Sequence, residues 1–247
     1  MGRQVAGALR DAPDTEPLAF VDALAAESSC DGLPVYTDAT ACLSEQRPDV
    51  VVDFTNAAWT PELARVALDH RARLVIGTTG LQPEFVEWLR AACDGQRVGA
   101  VLASNFAIGA VLMMAFAEQA ARFMDHAEII ELHHDQKVDA PSGTALTTAE
   151  RMCTARGQPF VHPETKKETL PGTRGGEYGG ITIHSVRLPG LVAHQEVIFG
   201  GLGQTLTIRH DSMGRESFMP GVLLAVRSVM QEERLIVGLD GLLGLPG

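Results

Sequence analysis

The chain predicts an α/β protein in two parts, a parallel α/β half followed by an α+β half with a mostly antiparallel sheet. Three observations carry this. Val50 to Phe54 is a continuous apolar run, as in a strand buried on both faces. From there to residue 102 such runs alternate with helical segments, the pattern of parallel strands joined by right-handed crossovers. After residue 180, three strands follow one another through short turns and alternate apolar with polar residues.

The first ten residues read as a helix, ended by a turn at Asp11-Ala12-Pro13-Asp14. Pro17 to Asp22 reads as a short strand ending on an acid. Beyond the Val50 strand, a helix is expected from Thr60 to His70, with Pro61 in its first turn. Arg73 to Ile76 is the next strand, Pro83 to Cys93 the next helix and Val98 to Leu102 the next strand. Val98 to Ala117 is twenty residues without a charge, long enough to span a bilayer. Ser104-Asn105 interrupts it and flanking aromatic anchors are lacking, so it divides into a buried strand, a polar turn and a helix over 107–123. A strand at Ala127 to Leu132, a polar loop and a helix over Ser142 to Arg156 come next. Gln158 to Gly180, rich in glycine, proline and charge, reads as a long loop. The strands Ile181 to Leu188, Val192 to Phe199 and Gln204 to His210 precede a last helix, Phe218 to Met230.

Composition narrows the function. Apolar residues make up 45% of the 247 and charged residues 21%, which excludes a disordered, collagenous or coiled-coil chain. A net charge of −11 argues against nucleic acid or an anionic membrane as partner. Cys30, Cys42, Cys93 and Cys153 are scattered, without C-x-x-C spacing, as expected of buried thiols in a reducing compartment such as the cytoplasm. No metal site is expected. Of 20 basic residues only Lys137, Lys166 and Lys167 are lysine and 17 are arginine. Arginine cannot release a proton at neutral pH, whereas lysine can.

Lys137 falls in the densest chemical cluster, Glu131-Leu132-His133-His134-Asp135-Gln136-Lys137-Val138-Asp139-Ala140-Pro141-Ser142-Gly143-Thr144. Pro141-Ser142-Gly143-Thr144 opens a helix, whose unpaired N–H groups bind carboxylate or phosphate. Two imidazoles, an ammonium and the Thr144 hydroxyl beside that end predict a small anionic substrate with proton donors at hand. A second constellation is Asp53-Phe54-Thr55, Gly77-Thr78-Thr79-Gly80 and Ala103-Ser104-Asn105-Phe106, each following an apolar strand. Ligands of open α/β sheets bind at the carboxyl ends of strands, so these turns predict a dinucleotide crevice. Asp22 is placed to accept from a ribose hydroxyl.

The histidine–lysine motif, with VVVDFT, VIGTTG, ASNFAIG and the strands ITIHSVRLPGLVAHQEVIFGG and QTLTIRHDS, resembles the dihydrodipicolinate reductase family over essentially the whole chain. The resemblance implies a Rossmann-like dinucleotide-binding domain, here 1–104 and 215–247, and a substrate-binding and tetramerisation domain, 105–214. It implies reduction of a cyclic unsaturated imine dicarboxylate by NADH or NADPH to tetrahydrodipicolinate, in lysine synthesis, by a homotetramer. By position, His133 and Lys137 resemble the proton donors, and His134, Ser142, Gly143 and Thr144 the substrate contacts. Gly77, Thr78, Thr79, Ala103, Ser104, Asn105 and Phe106 resemble the nicotinamide-cofactor contacts.

The family begins with a strand and a glycine-rich turn, G-x-x-G-R-M-G-R, of which Met1-Gly2-Arg3 matches the tail, so Met1 joins the cofactor contacts. The expectation is a start codon placed at the motif's internal Met, leaving the first parallel strand out. The alternative is a non-catalytic relic that keeps the substrate domain without binding cofactor. A thiol-dependent aldehyde dehydrogenase would need its cysteine at a strand–helix turn, where neither Cys93 nor Cys153 falls. Asp22, followed by Ala23-Leu24-Ala25-Ala26 without a cation, predicts a preference for NADH.

Overall fold

The computed structural model describes residues 1–245. The chain divides into two compact units, 1–108 with the C-terminal segment from Phe218, and Gly109–Ser217.

The first unit opens with helix α1 (Gly2–Asp11) and then strands β1 (Phe20–Val21), β2 (Ser29–Cys30) and β3 (Leu33–Tyr36). These three form a small sheet of their own, in the order β1-β3-β2. The expected Pro17–Asp22 strand thus shrinks to two residues and lies outside the main sheet. The Ser29–Tyr36 strands escape the sequence pattern because they are two and four residues long and include Pro34. Helix α2 (Ala39–Gln46) follows, capped by the Asp38 carboxylate, which accepts from Ala41 N–H.

The main sheet comprises β4 (Val50–Asp53), β5 (Arg73–Ile76) and β6 (Ala100–Leu102), with α3 (Thr60–Asp69) and α4 (Pro83–Gln96) as crossovers. Proline in the first turn of both helices fits a position where no N–H is needed. After the second unit the chain returns through α7 (Met219–Val229) and β12 (Leu235–Val237). The order is β12-β6-β5-β4, every pairing parallel. Leu43, Leu68, Leu74, Ile76, Leu89 and Cys93 fill its core.

In the second unit, α5 (Ile108–Ala121) leads to β7 (His126–His133), α6 (Gly143–Arg156), β8 (Gly176–Tyr178), β9 (Ile181–Arg187), β10 (Ala193–Gly201) and β11 (Gln204–Ser212). The charge-free run 98–117 is therefore β6, a turn and the start of α5. No helix among the described residues is long and apolar enough to cross a membrane. The sheet runs β11-β10-β7-β9-β8, with β7–β9 parallel and the other pairings antiparallel. The turn at Pro189-Gly190 does not join sheet neighbours, because β7 lies between β9 and β10. Helices α5 and α6 cover one face, where Ala117, Ala149 and Met152 meet Ile129, Val197 and Phe199.

Candidate active site

Strand alternation places Ala127, Ile129 and Glu131 on the helix-covered face of β7. The first two are apolar and buried; Glu131 is a carboxylate with no exposure at all. Its Oε2 accepts from His133 Nδ1 (2.5 Å) and Arg187 Nη1 (2.9 Å). Its Oε1 accepts from Arg187 Nη2 (2.7 Å) and Ser142 N–H (3.3 Å). Burial pushes this carboxyl up, but the hydrogen bonds from His133 and Arg187 outweigh it and bring it down to about 2. Arg187 Nη2 also donates to the carbonyl of Asp139, tying β9 to the loop between β7 and α6.

Within that loop Lys137 Nζ lies 2.7 Å from Asp139 Oδ1, and this ammonium holds Asp139 below the usual carboxylate range. The lysine expected to donate a proton thus has an acidic partner within its own loop. Ser142, expected as a substrate contact, is 3% exposed, and its hydroxyl caps α6, accepting from Ala145 N–H. Gly143 is exposed, with open space where a Cβ would stand, and Thr144 is half-buried. The first turn of α6 is braced to β10: Gln195 Nε2 donates to Thr148 Oγ1, which donates to the Thr144 carbonyl. His134 is exposed. The second unit thus brings His133, Lys137 and the N-terminus of α6 into one frame around Glu131. A cavity of about 360 Å³ lies beside it, lined by Ala140, Pro141, Leu146, Tyr178, Ile183 and Ser185.

In the first unit the three predicted turns do follow β4, β5 and β6. Asp53 is 1% exposed, and its carboxylate accepts from Thr55 N–H, Thr55 Oγ1, Thr60 Oγ1 and Thr78 Oγ1. Phe54 meets Phe106 edge to face, centroids 5.2 Å apart. A Cβ at Gly77 would stand 2.1 Å from the Phe54 ring, so only glycine allows this approach. Thr78, Ala103 and Phe106 are 6%, 2% and 2% exposed, so their side chains belong to the frame and their backbone is what these turns offer a cofactor. Thr79 and Ser104 are exposed, and Asn105 caps its own turn through Ala107 N–H. A nicotinamide fits these turns through exposed hydroxyls and backbone. Asp22, exposed, accepts from Leu24 N–H, and Met1 is the half-buried N-cap of α1.

The chain matches the family model "Dihydrodipicolinate reductase, N-terminus" over residues 1–106 and the corresponding C-terminus model over residues 109–243. It belongs to the dihydrodipicolinate reductase family. Among relatives of that family, the 4-hydroxy-tetrahydrodipicolinate reductase of Geobacillus thermodenitrificans is 53% identical, over 93% of this chain and 85% of the relative. That of Dehalococcoides mccartyi strain BAV1 is 47% identical over 99% and 95%. The dipicolinate-bound dihydrodipicolinate reductase of Paenisporosarcina sp. TG-14 superimposes with a TM-score of 0.87 at 42% identity, over 97% and 94% of the two chains.

Reading by motif alone missed Glu131, Asp139 and Arg187 as working parts. A charge on the apolar parity of β7 was the available signal for Glu131. Arg187 had none, since it stands 56 residues away in sequence.

Proposed function

We propose that the protein reduces 4-hydroxy-tetrahydrodipicolinate to tetrahydrodipicolinate with a reduced nicotinamide. The observation that carries this is the cation-bearing loop from His133 to Thr144, seated on the N-terminus of α6. A dicarboxylate suits it. The Gly143 and Thr144 N–H groups and the Thr144 hydroxyl can hold one carboxylate, and His134 the other. The first unit's Gly77–Thr79 and Ala103–Phe106 turns would hold the nicotinamide, which supplies the hydride when bound. The 4-hydroxyl leaves as water to give the unsaturated imine, and hydride addition to that imine leaves an electron-rich carbon that must gain a proton. Lys137 gives it, exchanging Asp139 for the substrate, and His133 assists. The dipicolinate held by the Paenisporosarcina relative supports a dicarboxylate ligand.

NADH is the preferred cofactor in this reading. Asp22 accepts from a ribose 2′-hydroxyl and repels a 2′-phosphate. The enzyme assembles as a homotetramer in the cytoplasm. Ile130, Leu132, Val186 and Ile198 lie half-buried on the sheet face opposite α5 and α6, an apolar patch suited to a second copy. The decisive measurement is loss of reduced-nicotinamide absorbance with 4-hydroxy-tetrahydrodipicolinate. Turnover with a higher kcat/KM for NADH is expected. No turnover with either cofactor would overturn the function, and faster turnover with NADPH would overturn the cofactor assignment. Light scattering should give four times the chain mass.

A further inference from the structure

Glu131 has no direct part in the reaction as proposed, yet four hydrogen bonds converge on it from three elements: His133 on β7, Arg187 on β9 and the N-cap of α6. Stability is a poor reason for such a group. Taking a carboxylate and a guanidinium out of water costs several kcal/mol, roughly what their attraction returns, and apolar residues of similar volume often serve as well. The inner face of β7 already carries Ala127 and Ile129, so an apolar residue at 131 would continue the pattern.

The carboxylate does something an apolar residue cannot. It is an acceptor only, so the His133 nitrogen that faces it must carry a proton. That nitrogen is Nδ1. Of its strand neighbours, Ala193 on β10 has no polar side chain, and Arg187 on β9 is itself a donor to Glu131. With Nδ1 fixed as donor to Glu131, Nε2 is the nitrogen left for exchange with a ligand.

We propose that Glu131 is the positioning residue of the site: it fixes the tautomer and orientation of His133 and, through Arg187 and Ser142, the path of the loop that carries Lys137. This rests on the reading of His133 and Lys137 as the proton-handling pair. Glu131 touches no substrate; it acts through its neighbours, in the way a carboxylate orients a catalytic imidazole elsewhere.

Two measurements test it. Nitrogen-15 NMR of the histidine rings in the wild-type protein should find His133 Nδ1 protonated at neutral pH. A bare Nδ1 overturns the proposal, and this reading needs no variant. In Glu131→Gln, whose amide can donate as well as accept, the ring should lose its single tautomer, and kcat should fall about 10- to 100-fold with KM nearly unchanged. Unchanged kcat and an unchanged ring signature in the folded variant would overturn the role. A uniform loss of folded protein with wild-type kcat per folded molecule would show a structural brace only, and would also overturn it. The function itself fails separately: if Lys137→Ala turns over at the wild-type rate, the pair is wrong, whereas a dead Lys137→Ala beside an unaffected Glu131→Gln removes only the present inference.

Discussion

Asp53 is the buried residue at the end of β4, in the parallel sheet, and Glu131 ends the buried positions of β7, in the mixed sheet, at 1% and 0% exposure. Asp53 is satisfied by three threonine hydroxyls and a backbone N–H, all neutral. Glu131 is satisfied by a guanidinium, an imidazole and a backbone N–H. The neutral set shapes a turn: it joins the loop after β4 to Thr78 after β5 without leaving a net cation nearby. The charged set collects cations at the edge of a loop. The difference separates a unit suited to cradle a ligand by backbone and hydroxyls from one suited to hold and protonate a dianion.

The sharpest separation should come from Lys137. Lys137→Ala is expected to lower kcat by about 10³-fold, within the range for loss of a general acid, while thermal unfolding changes little because the side chain is partly exposed. A large fall in the melting temperature would instead make the lysine part of the frame. Glu131→Ala should destabilise the second unit by about 3–5 kcal/mol, since a part-buried Arg187 loses its carboxylate partner. Hydrogen exchange should show lost protection in β7, β9 and the start of α6 before the parallel sheet is affected.

Acid offers the same contrast without mutation. Because Glu131 titrates near 2 when folded, below its ordinary value near 4.5, its contribution is fully present above that ordinary value. It is lost as pH falls from there through 2, and is on the order of 3 kcal/mol. Acid titration followed by NMR of the Glu131 carboxyl should show protonation near 2; a midpoint near 4.5 would erase the contrast. Asp53→Ala should cost about 1–3 kcal/mol, the price of buried hydroxyls left without an acceptor, and should loosen the turn after β5 in hydrogen exchange. Ser142→Ala should cost least, about 1 kcal/mol of thermal stability, as for loss of an N-cap.

Much of this was legible locally. The run Val50 to Phe54 announced a strand, although not one buried on both faces: Val50, Val51 and Val52 are half-buried because β4 stands at the end of the sheet order; Pro141-Ser142-Gly143-Thr144 announced a helix start, which the structure places at Gly143 with Ser142 as cap. His133 and Lys137 stood out by residue type and spacing. The two-residue strands β1 and β2 did not, because so short a stretch holds no period. The burial of Phe106 and Thr78 was hidden as well, since an edge-on ring 52 positions away and a carboxylate 25 positions away decide it.

By itself the sequence determined the alternation of strand and helix, the capped start of α6 and the gathering of two imidazoles and a lysine on one loop. These depend on residues within a turn or two of each other, where periodicity, caps and turn residues act. Only the tertiary structure decided that β7 lies between β9 and β10, and therefore that Arg187 reaches Glu131 from 56 residues away. A buried charge must find its partner wherever the closed sheet delivers one, and strand order, a non-local property of the folded chain, makes that delivery.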